Sequence, residues 1–417
     1  MSRLLDVLVR IAAPVLRLAR VRVYQANLNR IGDMNLEISR YVKFRELGWL
    51  PKERAVVIPA PQNRVVANPT SLRYLRRHVR IVTSRLAYPL LFRIRSTPGL
   101  GGSLDDDVAL PDGRRAIYWL GSAAAEAVWT REGRPPLLRL DPEHERRGRA
   151  ALRELGVPEQ AWFVCLHARE AGYLRETGDS YARHLNVDVR TYRQAVETVT
   201  SHGGWVIRMG DPTMTPLEPA ANVVDYAHSP AKSDWLDVFL AARCRFWLGS
   251  NSGIYFLAES FGTPVAMTNL APQAYRMWGP RTVIILKLYF SEREGRLLTF
   301  GESLAPEILH LQDLDDHAVR VVDNTPDEID ELVVEMLERI EERAVYTEAD
   351  EERRRRYDSL TPYYPYGIDS RIGRDFLRRH EELLHPAPSP DDVVSPTLPL
   401  RIPRGGRRAS VTRSLAG

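Results

Sequence analysis

Four short stretches hold residue types whose spacing could support chemistry. Gly249-Ser250-Asn251-Ser252-Gly253 lies between an apolar run, Phe246-Trp247-Leu248, and an apolar helical stretch, Ile254 to Phe261. A loop of small residues at a helix start offers free backbone N–H groups and the positive end of the helix dipole, and a nucleotide pyrophosphate is the natural guest. The plainer reading is a strand-to-helix turn that needs small residues for packing. His167-Ala168-Arg169-Glu170 ends a second apolar run, Trp162 to Leu166, at the end of a strand where doubly wound sheets bind ligands. Gly32, Asp33 and Glu37 follow the strand-like Val21-Arg22-Val23-Tyr24, and a glycine turn with acids at the top of a first strand is where α/β enzymes place reactive groups. The plainer reading makes Asp33 a helix cap and leaves Glu37 solvated. Asp105-Asp106-Asp107 invites a metal, but adjacent carboxylates without His or a spaced ligand set read as solvated, and no metal is expected.

The elements that must position these groups are clearest in the second half. Trp162 to Leu166, Trp205 to Met209, Val223 to Tyr226, Phe246 to Leu248 and Pro264 to Met267 are short apolar runs. Between them, Asp188 can cap a helix from Val189 to His202, and Ser233 and Asp234 one reaching about Arg243. Strands alternating with helices argue a parallel sheet covered on both faces, a Rossmann-like domain without the G-x-G-x-x-G fingerprint. Gly210-Asp211-Pro212 turns the chain after the second of these strands. In the first half, Ala55 to Pro59 is a further strand, a helix runs to about Leu47, and Pro98 to Arg114 reads as loop. Thr325-Pro326-Asp327-Glu328 is a capping box with Pro at the first helical position. A charged helix to about Asp358 and a last helix, Ser370 to His380, follow; the last helix is expected to pack back across the first domain.

At 417 residues the chain is too long for one ordinary core. Its net charge is +4 and no nucleic-acid-binding module is present, so no nucleic acid is expected as a partner. Cys165 and Cys244 sit in or beside apolar runs and read as reduced, buried thiols of a cytoplasmic protein. No stretch is apolar for long enough to span a bilayer. Met1 to Arg20 is amphipathic: Arg3, Asp6, Arg10, Arg17 and Arg20 share a narrow stripe and apolar residues cover the rest. Such a helix lies either on an anionic membrane surface, on the inner face of the cell membrane, or docked on its own domain; periodicity leaves both open.

Phe163 to Arg169, Trp205 to Asp211, Val224-Asp225-Tyr226-Ala227, Ser233 to Asp237, Phe246 to Gly253, Leu298-Thr299-Phe300 and Asn324-Thr325-Pro326 together resemble a bacterial family of glycosyltransferases with two Rossmann-like domains facing a cleft, the GT-B architecture. The resemblance covers roughly residues 162–340; the first domain matches weakly. The His-x-Arg at the strand end is also similar to that of fucosyltransferase-like enzymes, where the Arg contacts the donor phosphate, a role that would fall to Arg169.

The amphipathic pattern gives an N-terminal helix (1–20) and the Pro-, Ser-, Arg- and Gly-rich composition from Pro386 a disordered tail (386–417); between them the resemblance implies an α/β protein with an acceptor domain (21–140), a nucleotide-sugar domain (141–345) and C-terminal helices packing back (346–385). It implies transfer of a sugar from a nucleotide-sugar donor, a substrate rather than a cofactor, to a glycan, lipid-linked or small-molecule acceptor. Arg169 and the helix start after Gly249, Ser250, Asn251, Ser252 and Gly253 would stabilise the leaving diphosphate without a metal. Arg208 is a second phosphate candidate, or the partner in a strand-end salt bridge. His167 orients the donor or packs at the strand end. Gly210, Asp211, Asp225, Tyr226, Ser233 and Asp234 complete the donor set, Asp225 or Asp234 facing base or ribose, although Asp234 reads more simply as a helix start. The base is expected near the first glycine loop at Gly32: Asp33, with Glu37 and Glu170 behind it. The alternatives are a nucleotide-sugar epimerase or hydrolase on the same fold, and a non-catalytic nucleotide- or carbohydrate-binding partner.

Overall fold

The computed structural model describes residues 2–61, 65–171, 180–276, 279–360, 366 and 369–384. Two parallel sheets organise it. In the first, β1 (Val21–Ala26), β2 (Arg54–Pro59), β3 (Arg80–Ile81) and β4 (Gly101–Ser103) lie in the order β3-β2-β1-β4, each pair parallel. The chain steps outward from β1 to β3, then returns to the far side of β1. Strand order therefore reverses between β1 and β4, the kind of crevice in which open α/β sheets bind ligands.

α1 (Ser2–Leu18) and α4 (Tyr88–Arg95) cover one face of this sheet, with Val9 and Ala13 in one apolar cluster with Val23, Ile58, Ile94 and Leu100. α2 (Ile31–Glu46) and α3 (Pro69–Leu75) take the other face, through Met34, Ile38 and Leu72. The N-terminal helix is thus docked on its own domain, and Val7, Leu8, Ile11, Val15 and Leu18 remain exposed on its outer side. A two-stranded ribbon, β5 (Val108–Ala109) and β6 (Arg115–Ala116), leads to α5 (Tyr118–Arg131), which packs on α2.

The stretch from Pro98 to Arg114, expected as loop, contains β4. Gly101-Gly102-Ser103 shows no apolar alternation, so the sequence gives no strand signal. It fits beside β1 because Gly101 has no side chain: a Cβ there would lie 1.8 Å from the Arg95 carbonyl oxygen.

The second sheet has seven parallel strands. α6 (Pro142–Glu154) precedes β7 (Phe163–His167), β8 (Trp205–Arg208), β9 (Val223–Val224), β10 (Trp247–Ser250), β11 (Val265–Leu270) and β12 (Thr282–Leu286). The small antiparallel sheet of β13 (Leu288–Ser291), β14 (Arg296–Leu297) and β15 (Val319–Val322) follows, and β16 (Arg371–Ile372) returns to pair with β12. The order is β16-β12-β11-β10-β7-β8-β9. Here the reversal falls between β7 and β10. Every residue of β7, β10, β11 and β12 is buried, which is why β7, β10 and β11 read from the sequence as apolar runs; β12 is a further strand of the same kind that the sequence reading passed over.

α7 (Arg193–Ser201) and α10 (Pro326–Ile340) pack together on one side of this sheet; α6, α8 (Asp234–Arg243) and α9 (Tyr255–Ser260) pack in series on the other. α9 is shorter than the expected Ile254 to Phe261, which sit at its N-cap and C-cap positions. Asp188 caps a 3-10 turn, Val189–Tyr192, that feeds into α7, so the single expected helix is a turn plus a helix. The two halves meet where α2 packs on α9 and α3 on α8. One apolar core, from Met34 and Ile38 to Phe256 and Leu257, runs through both.

The capping box at Thr325 and Glu328 is formed, and Thr347 with Asp350 forms a second that opens α11 (Glu348–Ser359). α12 (Arg374–Arg379) packs on α10 and α11. Asp350 clamps it, accepting from Arg378 Nε at 2.7 Å and Nη2 at 2.5 Å. The last helix thus packs on the second domain rather than across the first. Tyr366, between α11 and α12, meets Trp49 of the first domain at 5.7 Å between ring centroids. The expected disordered tail, 386–417, lies outside the described residues.

Candidate active site

The two strand-order reversals face each other. The loop after β1 enters α2 at Gly32, the loop after β10 enters α9 at Gly253, and the two glycines are in backbone contact. A Cβ on Gly32 would stand 2.5 Å from the Gly253 Cα, and one on Gly253 would stand 2.8 Å from the Gly32 Cα. Both loops singled out by residue type therefore converge on one place between the domains. Ser39 and Ser260 hydroxyls, 3.4 Å apart, mark the same α2–α9 contact two turns further on.

Asp33 and Glu37 occupy successive turns of α2 beside this contact. The N-cap of α2 is Arg30, without a side-chain cap bond, so Asp33 is not the cap. Burial raises the Asp33 carboxyl above its ordinary range; Arg30 opposes the rise and Asp105 adds to it. Glu37 is not solvated. It is 3% exposed and accepts from the Asn27 backbone N–H at 3.0 Å and from Asn27 Nδ2 at 2.7 Å. Burial, and secondarily the Asp33 charge, push its pKa up to about 8 against the two Asn27 bonds. Asp106 accepts the Ser103 N–H at 2.7 Å and Asp105 pairs with the Ser103 hydroxyl, so the end of β4 brings these acids to the Asp33 side of the crevice.

On the second domain, β7 delivers His167 and Arg169 alongside Gly249 and Ser250 of β10. The two strands can approach at this point because Gly249 is bare: a Cβ would lie 2.3 Å from the His167 carbonyl oxygen. Ser250, 1% exposed, accepts the Arg169 N–H on its hydroxyl at 2.9 Å. It thereby ties the two strand ends together and does not cap α9. Asn251 Nδ2 donates to the Ala271 carbonyl at 2.6 Å, which fixes the loop to the end of β11. His167 is 5% exposed and its ring lies 6.3 Å from that of Trp247. Burial lowers its pKa to about 3, with Arg208 and Arg169 adding to the effect, so the imidazole is neutral. Among the described residues its Nδ1 has no hydrogen-bond partner. The first N–H groups of a helix have no partner within it. At α9 the N–H groups of Tyr255, Phe256 and Leu257 bond the carbonyls of Ser252, Gly253 and Ile254, so the N–H groups of Ser252, Gly253 and Ile254 stand ahead of the helix's own ladder.

A separate polar cluster stands at the end of β8. Arg208 is fully buried and faces Glu170 at 3.0 Å and Asp225 at 3.6 Å. Glu170 also accepts from the Thr215 N–H and hydroxyl at 2.7 and 2.8 Å, and Asp225 from the Leu217 N–H and His228 Nδ1, each at 2.9 Å. Of the two readings of Arg208, its contacts are those of the strand-end salt bridge, and Glu170 is committed to holding the 210–217 loop. Asp211 closes that loop by accepting from the Thr213 N–H and hydroxyl; Gly210, at φ +146°, turns it against Met214. Tyr226 is buried, its hydroxyl bonded to the Ser233 backbone N–H and carbonyl. The Ser233 hydroxyl donates to Ala231 and makes no cap bond, while Asp234 stands exposed in the first turn of α8, where the helix dipole favours an acid. These residues order the loops after β8 and β9, and the charges of Arg208 and Asp211 both reach His167.

Two residues that sequence reasoning passed over support the site. Asn27 holds Glu37, and nothing in its neighbours announces this. Lys287 is 1% exposed and donates to the Asn186 carbonyl at 3.0 Å and Asp323 at 2.6 Å; burial lowers its pKa, Asp323 opposes this, and the Arg169 charge adds to it. Its signal was legible: a lone charge inside the run Ile284-Ile285-Leu286-Lys287-Leu288, in a chain with four lysines, implies a buried partner.

No family model and no curated protein matches the chain. Solved structures do. A glycosyl transferase of family 9 from Veillonella parvula is 10% identical over 64% of this chain and 86% of its own, with a TM-score of 0.37. The ADP-heptose LPS heptosyltransferase II of E. coli is 11% identical over 75% of this chain and 99% of its own, at 0.42. The dodecameric iron-containing heptosyltransferase TibC, in complex with ADP-D-beta-D-heptose, is 12% identical over 77% of each chain, at 0.40. With TM-scores below 0.5 these likenesses carry no weight of their own, and the functional reading rests on the geometry of the site.

Proposed function

We propose that the protein is a metal-independent glycosyltransferase that moves a sugar from a nucleotide-sugar donor to a glycan, lipid-linked or small-molecule acceptor. The observation that carries this reading is the meeting of two strand-order reversals at Gly32 and Gly253, with acids on one side and a guanidinium, a neutral imidazole and helix-start N–H groups on the other. A domain contact flanked by a strand-order reversal on each side can hold two substrates next to one another.

The nucleotide lies on the second domain, its pyrophosphate against Arg169 and the N–H groups of Ser252, Gly253 and Ile254. As the sugar–phosphate bond breaks, negative charge grows on the diphosphate, and these fixed donors stabilise it. Asp33 takes the proton from the acceptor hydroxyl. Its raised pKa brings it toward neutrality, where a base is most effective. Glu37, its pKa pushed up to about 8 by burial and by the Asp33 charge, lies one turn further along α2. A second reading, hydrolysis or epimerisation of the same donor, draws on these two carboxyls lying one helical turn apart.

A thermal-shift screen against nucleoside diphosphates and nucleotide sugars, with and without EDTA, tests the proposal. Donor at a hundredfold its dissociation constant adds about 2.7 kcal/mol of stability. The expected shift survives EDTA, disappears in Arg169→Ala and persists in Asp33→Asn, which loses turnover by about a hundredfold or more. Absence of any nucleotide shift, or wild-type turnover in Asp33→Asn, overturns it; turnover without acceptor selects the second reading.

A further inference from the structure

The outward face of α1 is apolar. Val7, Leu8, Ile11, Val15 and Leu18 are each between 51% and 87% exposed. On a helix of 3.6 residues per turn these five fall in one stripe about 100° wide, opposite the docked Val9 and Ala13. The helix α4, packed beside α1 on the same face of the sheet, adds Leu86, 94% exposed just ahead of its first turn, and Leu90, 41% exposed. Among the described residues nine large apolar side chains are exposed, and seven belong to this one layer. An apolar patch of that kind on an otherwise polar surface marks a binding face.

Charge identifies what the face fits. Arg10 and Arg17, both exposed, run along one edge of the stripe, and Arg20, just past α1, and Arg85, just ahead of α4, are exposed as well. The acid within α1, Asp6, is paired with Arg93 at 3.0 Å. A surface apolar within and anionic at its rim is that of a bilayer with acidic headgroups: side chains of the stripe enter the acyl boundary while guanidinium groups stay at headgroup level. Among the described residues no helix is long and apolar enough to cross a membrane, so the contact would be interfacial. We propose that α1 and α4 together seat the protein on an anionic lipid surface. The crevice between the domains stays open, because α2 lies on the other face of the first sheet. The proposal does not depend on the reaction assigned above.

Flotation of the full chain with vesicles tests it, using phosphatidylcholine alone and an equal mixture with phosphatidylglycerol. The wild type is expected to float with the mixture, less so as salt rises. The triple variant Ile11→Ser, Val15→Ser, Leu18→Ser is expected to lose about tenfold in bound fraction, with melting temperature unchanged because those side chains are exposed. Leu86→Ser with Leu90→Ser, on a separate helix, should give a loss in the same direction, so a folding defect in α1 cannot produce the result alone. Failure of the wild type to float, or flotation undiminished in both variants, overturns the proposal. So does a wild-type dimer in solution that the triple variant converts to monomer, which would assign the face to a second copy of the chain.

Discussion

The Glu37 carboxyl sits one turn beyond Asp33, inside α2, with both Asn27 donors on it and almost no access to water. Those two bonds favour the charged form, and burial outweighs them, so the group keeps its proton up to about pH 8 against an ordinary value of 4.5. The linkage has a definite sign. In the unfolded chain Glu37 ionises near its ordinary value, while the folded protein holds the proton longer. Its contribution to stability is therefore complete below about pH 4.5 and is lost as pH climbs through about 8. Glu37→Gln removes the titration while keeping the shape and one acceptor for Asn27. Melting temperatures of the wild type should fall across that window more steeply than those of Glu37→Gln, and parallel curves would show that the group is not the buried acid described here. The bland sequence reading of Glu37 as solvated failed because its partner, ten residues upstream, becomes adjacent only once β1 turns into α2.

The elements that carry the site differ in how plainly the sequence announces them. β7, β10 and β11 are buried on both faces, and an apolar run is all that such a strand needs. The Thr325 capping box and the Asp188 cap are equally local, since donor and acceptor are close in sequence. β4 and β16, three and two residues long, are strands only because a neighbour offers them a ladder, and no local pattern encodes that. The two glycine loops were legible as loops, but not as partners. Their contact leaves no room for a side chain: a Cβ on Gly253 meets the Gly32 Cα at 2.8 Å, and backbone cannot rotate away. Gly253→Ala should force α9 from α2 at a cost of about 1–3 kcal/mol. The accompanying shift at the start of α9 should weaken donor binding as well as lower turnover, because the N–H groups placed against the pyrophosphate stand there, whereas Arg169, just beyond β7, keeps its bond to Ser250 at the end of β10. Calorimetry and steady-state kinetics on the one variant check both parts, and an unchanged melting temperature would mean that the domains do not rest on this contact.

At the scale of the whole molecule the two domains share an interface that is apolar at its centre and charged at its edge. Lys43 of α2 pairs with Glu126 of α5, both from the first domain, and Glu259 of α9 faces them from the second. A cavity of about 300 Å³ beside them is bounded by Trp129, Pro136, Gly262 and Arg281 as well. Burial raises the Glu259 pKa, the Glu126 charge raises it further, and Lys43 works against both. When Glu259 ionises, the second domain presents a negative charge to Glu126 with one lysine between two carboxylates. A raised acid gives its full stabilisation at low pH and loses it as pH rises through the folded value, and here the loss falls on the contact between domains. The expected outcome is a rise in radius of gyration by small-angle scattering as pH climbs through about 8, with the interface loosening before the sheets melt. Glu259→Gln removes the charge and should hold the low-pH radius through the same climb. If wild type and variant scatter alike at every pH, the carboxyl does not govern how tightly the domains close on the crevice between Gly32 and Gly253.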